Sequence, residues 1–397
     1  METSDLRIAL FSGNYNYTRD GANQALNRLV GSLLAKGAKV RVYSPKVAQP
    51  DFEPTGDLVG VPNVPMPVKG RGEYRMPTHL GAAVKRDLAA FAPNIVHLSS
   101  PDPAAHAALR WARGHAIPVL ASVHTRFETY PRYYNMAFLE PLIVKGLRRF
   151  YNRCDALVAP SQSMIDELLA MQMHTDIGLW SRGVDRTIFS SARRDPEWRR
   201  SLGLADDDVA IVFLGRLVME KGLDVFAETI VRLRASGAPH KVLVIGDGPA
   251  RGWFEANMPG AIFAGFKTGE ALGQALASGD VFFNPSVTET FGNVTLEAMA
   301  SGLPVVAAGA TGSASLVAEG VTGRLVAPSG AKDSDAAAFA AALAPYCSDP
   351  ALRAAHGAAG ETRACEYSWE AINQVVADTY IRLIEGRRRA PASNLAA

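Results

Sequence analysis

The sequence predicts an α/β protein made of two doubly wound, Rossmann-like domains facing a central cleft. Three observations carry this reading. Short apolar runs recur along the chain, each followed by a segment of helical period, the rhythm of parallel sheets covered on both faces. At 397 residues the chain exceeds the size that one hydrophobic core usually serves. The rhythm also breaks once, over 181–200, where the turn-like Ser181-Arg182-Gly183-Val184-Asp185 precedes a charged stretch without apolar period. The expected division is 1–188 for the first domain and 189–365 for the second, then a helix over 366–387 and a tail over 388–397.

The first strand is Arg7–Phe11, followed by a polar loop and a helix that carries Ala25, Leu29, Leu33 and Leu34 to a C-cap at Lys36-Gly37. Val40-Arg41-Val42-Tyr43 is the second strand. Residues 48–72, rich in Pro and Gly, read as loop with short strands. Ile95–Leu98, 119–123 and Ala156–Ala159 are further core strands, with helical segments at 80–91 and 104–112. Ser161 or Ser163 caps the next helix, whose first turns hold Asp166 and Glu167. In the second half, strands fit 209–214, Lys241–Ile245, 261–264, Val281–Asn284 and 305–307. Helices fit Leu223–Ala235, 250–257, 270–278, 292–300, 333–346 and 368–385.

Composition excludes several classes. A net charge of +2 gives no global argument for nucleic acid, and none is expected as a partner. Cys154, Cys347 and Cys365 show no CxxC spacing and cannot all pair, which suits a reduced, cytoplasmic chain without structural zinc. The N-terminus leads straight into a strand and does not read as a signal peptide. No apolar run reaches the length of a membrane span, so any membrane contact is expected to be peripheral.

The chemistry-bearing residues fall at strand ends. Glu289 and Glu297 stand eight positions apart, one just before a helix and the other two turns into it. Between them, Phe291, Gly292, Asn293 and Val294 present backbone N–H groups at the positive end of the helix dipole, a place for an anion flanked by hydroxyl-binding carboxylates. The bland alternative is a helix cap and a solvated carboxylate. In GRLVMEKGLD, Gly215 ends a strand, Arg216 can grip a phosphate bidentately and Lys221 adds a point charge. Alone, that loop reads equally well as solvated and salt-bridged. Gly246 lies in IGDGP, whose glycines permit close backbone approach to a ligand or make a plain βα turn. His124 ends a core strand, as a structural histidine or as a cleft residue. His97 reads as structural, and Asp102 and Asp206-Asp207-Asp208 as solvated turns. No GxGxxG follows the first strand, which speaks against a nicotinamide dehydrogenase. Residues 145–153, basic with flanking aromatics, suit an anionic membrane surface or an ordinary charged helix face.

Taken together, these motifs resemble the retaining glycosyltransferases of family 4, which have the GT-B fold. Glu289 to Glu297 matches the family's E-x7-E element, GRLVMEKGLD its phosphate loop, IGDGP its later Gly-rich turn and SRGVD its interdomain segment. The resemblance implies that Arg216 and Lys221 bind the diphosphate of a nucleotide sugar. It implies that Glu297 holds the ribose and that Glu289, with the backbone of Phe291 and Gly292, holds the donor sugar. His124 would reach the sugar near the reacting centre, Gly13 and Gly21 would line the loop near phosphate and acceptor, and the helix around Trp369 would cross back to the first domain. Asp20-Gly21 stands where many relatives have Gly-Gly, and Arg182-Gly183 where many have Asn-Gly. Both departures, with HTRFETYPRYY after the strand of His124, resemble the branch of lipid-linked mannosyl-, glucuronosyl- and sulfoquinovosyltransferases. The expectation is a metal-independent, cofactor-free hexosyl transfer from GDP-mannose or a UDP-sugar, with retention, to an acceptor on a membrane lipid. A soluble sugar or polysaccharide acceptor, or a non-transferring epimerase or binding protein of the same fold, are the alternatives.

Overall fold

The computed structural model describes residues 1–18, 20–66, 74–129 and 136–389. The chain divides into two units: Met1–Ser181 with the residues from Trp369 onward, and Arg182–Ser368.

The N-terminal unit contains β1 (Arg7–Phe11), α1 (Gly21–Ala35), β2 (Lys39–Ser44), β3 (Asp57–Gly60), β4 (Asn63–Pro65), β5 (Arg75–Pro77) and α2 (Ala82–Phe91). It continues with β6 (Ile95–Leu98), α3 (Pro103–Gly114), β7 (Val119–Ser122), α4 (Glu140–Tyr151), β8 (Ala156–Ala159), α5 (Gln162–Ala170) and β9 (Ile177–Leu179). Seven strands form one parallel sheet in the order β3-β2-β1-β6-β7-β8-β9. Strand β1 shows why the segments assemble this way. Ile8 and Leu10 pack with Leu26 and Leu29 of α1, whereas Ala9 and Phe11 pack with Ala105 and Leu109 of α3. Successive side chains alternate between two buried faces, so the strand is apolar throughout.

The second unit contains α6 (Pro196–Ser201), β10 (Ala210–Leu214), α7 (Leu223–Ala235), β11 (Lys241–Ile245), α8 (Arg251–Asn257), β12 (Ile262–Gly265) and α9 (Gly269–Ala277). After these come β13 (Val281–Asn284), α10 (Asn293–Ala300), β14 (Val305–Ala308), α11 (Thr311–Leu316), β15 (Gly323–Val326), α12 (Lys332–Ser348) and α13 (Pro350–Ala364). Its six strands are parallel in the order β12-β11-β10-β13-β14-β15. Ile211 and Phe213 of β10 face Phe226 and Ile230 of α7, while Val212 faces Leu276 of α9 and Leu296 of α10.

The last helix, α14 (Trp369–Arg389), is built into the N-terminal unit. Val376, Ala377, Tyr380 and Ile384 join the cluster under α1, and Arg382 pairs with Asp176 at 2.6 Å. This helix passes the 387/388 limit expected for it, and residues 390–397 of the expected tail lie outside the described residues. The division between units falls at 181/182 rather than at 188/189. The reason is packing: Val184 and Phe189 are buried with Leu276 and Leu303, and the Val184 amide donates to the Tyr367 carbonyl at 3.1 Å.

Candidate functional site

In the second unit the strand order runs outward in opposite directions from β10 and β13, which pair with each other. Doubly wound sheets bind ligands in the crevice at the carboxyl ends of two such strands. The loops with most of the sequence candidates leave from this point, 215–222 after β10 and 285–292 after β13.

These two loops touch. Thr288 Oγ1 donates to the Glu220 carbonyl at 3.2 Å, and Lys221 Nζ lies 2.6 Å from Glu289 Oε1. The lysine side chain is 30% exposed and the glutamate 15%, so the pair is partly shielded yet within reach of a solute. A charge-assisted contact of this length is among the stronger hydrogen bonds a protein makes. Arg216 is exposed on the same loop as Lys221, directly after Gly215.

The β13–α10 loop ends at Gly292, whose left-handed φ of 91° a side chain would disfavour. Gly292 is the N-cap of α10 and supplies no capping side chain, so it contributes no acceptor to the amides of Asn293, Val294 and Thr295. The positive end of α10 is thus set beside the Lys221–Glu289 pair by the chain itself. Phe291 is buried and meets Tyr367 edge-on at 5.9 Å between ring centroids. A Cβ on Gly312 of α11 would lie 2.7 Å from the Phe291 carbonyl carbon and 2.9 Å from Glu289 Cβ, so this glycine lets α11 support the loop. Glu297 is partly buried in the second turn of α10.

Gly246, after β11, has a packing reason of its own. Its φ is 139°, and a Cβ there would lie 2.0 Å from the Gly215 carbonyl oxygen. The β11 loop lies directly against the β10 loop, with the Leu217 amide donating to the Asp247 carbonyl at 2.9 Å. Gly246 therefore shapes the loop that carries Arg216 and Lys221.

His124 and Gly21 lie in the N-terminal unit. His124 is buried just past β7, with Nε2 2.8 Å from Ser122 Oγ and its ring edge-on to Trp180 at 5.3 Å. Gly21 opens α1, but Asp20 caps that helix: its carboxylate accepts from the amides of Ala22 and Asn23, both at 2.9 Å. The first-turn amides of α1 are thus taken by a carboxylate of the chain itself. Asp102, read from sequence as a solvated turn, is instead the N-cap of α3, accepting from the Ala105 amide at 2.9 Å and from Ser100 Oγ. Burial raises its pKa to about 6, against those hydrogen bonds. Among the described residues no group of three or more His, Cys, Asp and Glu is placed to hold a metal ion.

Sequence reasoning missed Ser122. Its signal was spacing, since residues two apart near the end of a strand share a face and Ser122 stands two before His124.

Comparison with known proteins gives consistent results. A family model described as Glycosyltransferase Family 4 matches residues 19–187, and one described as Glycosyl transferases group 1 matches residues 208–349. A GDP-mannose-dependent alpha-mannosyltransferase from Corynebacterium glutamicum is 31% identical over 327 residues, covering 81% of this chain and 76% of that protein. A sulfoquinovosyl transferase from Arabidopsis thaliana is 30% identical over 375 residues, covering 92% of this chain and 71% of its own. Among solved structures, a sucrose-phosphate synthase from Thermosynechococcus elongatus superposes with a TM-score of 0.77 at 21% identity, covering 96% of this chain and 99% of that one. The fold is GT-B.

Proposed function

The chain belongs to glycosyltransferase family 4 and is a glycosyltransferase, and on that premise we propose that it moves a hexosyl group, with retention, from a nucleotide diphosphate sugar to a lipid hydroxyl. The observation that carries the reading is the Lys221–Glu289 pair at 2.6 Å beside the open N-terminus of α10. An ammonium, the neighbouring Arg216 guanidinium and the positive helix end together suit a leaving diphosphate. Glu289, already oriented by Lys221, has a second oxygen with which to accept from a sugar hydroxyl. Glu297 is assigned to the ribose.

In the reaction so read, the bond between the anomeric carbon and the β-phosphate oxygen breaks as negative charge grows on that phosphate. The acceptor oxygen bonds the same carbon from the same face, and its proton passes to the departing phosphate oxygen. The α linkage of the donor is kept. Lys221, Arg216 and the helix end supply the positive charge that a divalent cation would otherwise bring, which is the basis for proposing metal independence. The relative named for GDP-mannose makes that nucleotide sugar the first donor to test.

A surface of the N-terminal unit supports the lipid acceptor. Phe138 and Leu142 are 77% and 67% exposed. Lys145 and Arg149 follow at helical spacing along α4 and are exposed as well. Apolar side chains followed by cations on one helix face fit an anionic membrane interface.

The test is a donor panel of GDP-mannose, UDP-glucose, UDP-galactose and UDP-glucuronate, with vesicles containing diacylglycerol and phosphatidylinositol, in excess EDTA. The expected product is a glycolipid whose anomeric proton shows the α configuration. A β product would refute retention, and turnover abolished by EDTA would refute metal independence. Transfer to soluble sugars alone would refute the lipid acceptor.

A further inference from the structure

Four side chains of the N-terminal unit form one buried hydrogen-bonded file. Tyr380 of α14 places its hydroxyl 2.5 Å from His97 Nδ1. His97 Nε2 lies 2.8 Å from Ser122 Oγ, which lies 2.8 Å from His124 Nε2. Tyr380 and His97 are fully buried, Ser122 almost so, and both imidazoles stand edge-on to Trp180. The file thus runs from the last helix, through β6 and β7, to the histidine at the strand end.

Its polarity follows from counting protons. Among the described residues the Tyr380 hydroxyl has one hydrogen-bond partner, His97 Nδ1. A fully buried hydroxyl that does not donate leaves its hydrogen unsatisfied, which is costly. Tyr380 therefore donates and His97 Nδ1 accepts. Burial pushes the His97 pKa down to about 3, so the ring is neutral and its single proton sits on Nε2. That proton goes to Ser122 Oγ, and the serine's own hydrogen is left for His124 Nε2. The reverse polarity would strand the phenol hydrogen in the core.

We infer that Tyr380, His97 and Ser122 are positioning residues that hold His124 in the Nδ1–H tautomer, in which Nδ1 donates a hydrogen bond and cannot accept one. Its effect on transfer rests on the proposed function. A histidine polarised in one sense suits recognition of a hydroxyl oxygen rather than shuttling of a proton.

The test has two parts. Long-range proton–nitrogen spectra of the full chain labelled with 15N-histidine report which nitrogen of His124 carries hydrogen, with His124→Gln used for assignment. The wild type should show the proton on Nδ1. In Tyr380→Phe, and in Ser122→Ala, which leaves α14 intact should the first variant misfold, the signal should move toward the Nε2–H form that free histidine favours. Ser122→Thr should restore it. In transfer assays Ser122→Ala should lower kcat/KM by about tenfold, and Ser122→Thr should recover it. A wild-type proton on Nε2, or a tautomer unchanged in Ser122→Ala, overturns the inference. Absence of transfer with every donor would count against the proposed function while leaving the spectra readable.

Discussion

Lys221→Ala separates catalysis from folding. The ammonium stands 2.6 Å from Glu289 and is 30% exposed, so water already screens much of its pairing energy in the resting protein. Ion pairs open to solvent contribute about 0–1 kcal/mol, and partial shielding places this one near the upper end. Removing the lysine, which also leaves the 15%-exposed Glu289 carboxylate without this partner, should therefore cost about 1–2 kcal/mol of stability. The cost in the transition state is larger, because the charge faces a diphosphate that gains negative charge as the sugar departs. Loss of one preorganised donor to a developing anion costs about 2.7–4 kcal/mol, or roughly 10²–10³ in kcat. The assay is steady-state nucleotide release with the best donor of the panel, alongside urea denaturation of the same preparation. A kcat within about threefold of wild type would refute the role assigned to Lys221. A collapse in stability that explains the lost activity would refute the separation.

Other consequences are as direct. Gly246→Ala places a methyl 2.0 Å from the Gly215 carbonyl oxygen at a φ of 139°, and should destabilise the second unit by on the order of 3 kcal/mol, read by urea denaturation. His97 is held neutral by burial, with its pKa lowered to about 3, whereas the unfolded chain binds the proton near the ordinary histidine value of 6.5. Its contribution to stability is therefore fully present above about pH 6.5 and is lost as pH falls from there toward 3. Thermal melts between pH 7.5 and 4.5 should fall more steeply for wild type than for His97→Gln. Phe138→Ser with Leu142→Ser should weaken sedimentation with anionic vesicles several-fold while leaving the melting temperature within a degree or two, since both side chains are exposed.

The βα rhythm was legible because strands such as β1, β10 and β13 are buried on both faces and so read as unbroken apolar runs. Elements without that signature escaped. β9 is three residues long, with Gly178 at its centre and no fully buried side chain. β15 begins at Gly323, which lies so close to β14 that a Cβ would be 1.9 Å from the Val305 carbonyl oxygen. In α13, Gly357 and Gly360 pack against Gly302 and Met299, so close approach replaces the apolar stripe a sequence pattern would detect. The loops at the carboxyl ends of β10 and β13 were legible from their charged and glycine residues. The contact between Lys221 and Glu289 was not, because strand order rather than local sequence brings residues so distant in the chain together. The file behind His124 was hidden for the same reason, since its first member lies on α14.

The most direct test of lipid-directed transfer follows the sugar itself. GDP-mannose or a UDP-hexose carrying a radiolabel in the sugar is mixed with the protein and lipid vesicles, and the label is counted in the extracted lipid phase. Label should appear in the lipid phase, depend on both donor and vesicle, and be nearly lost with Lys221→Ala. Label that stays in the aqueous phase with every donor, or donor consumed equally with and without lipid, would contradict such transfer.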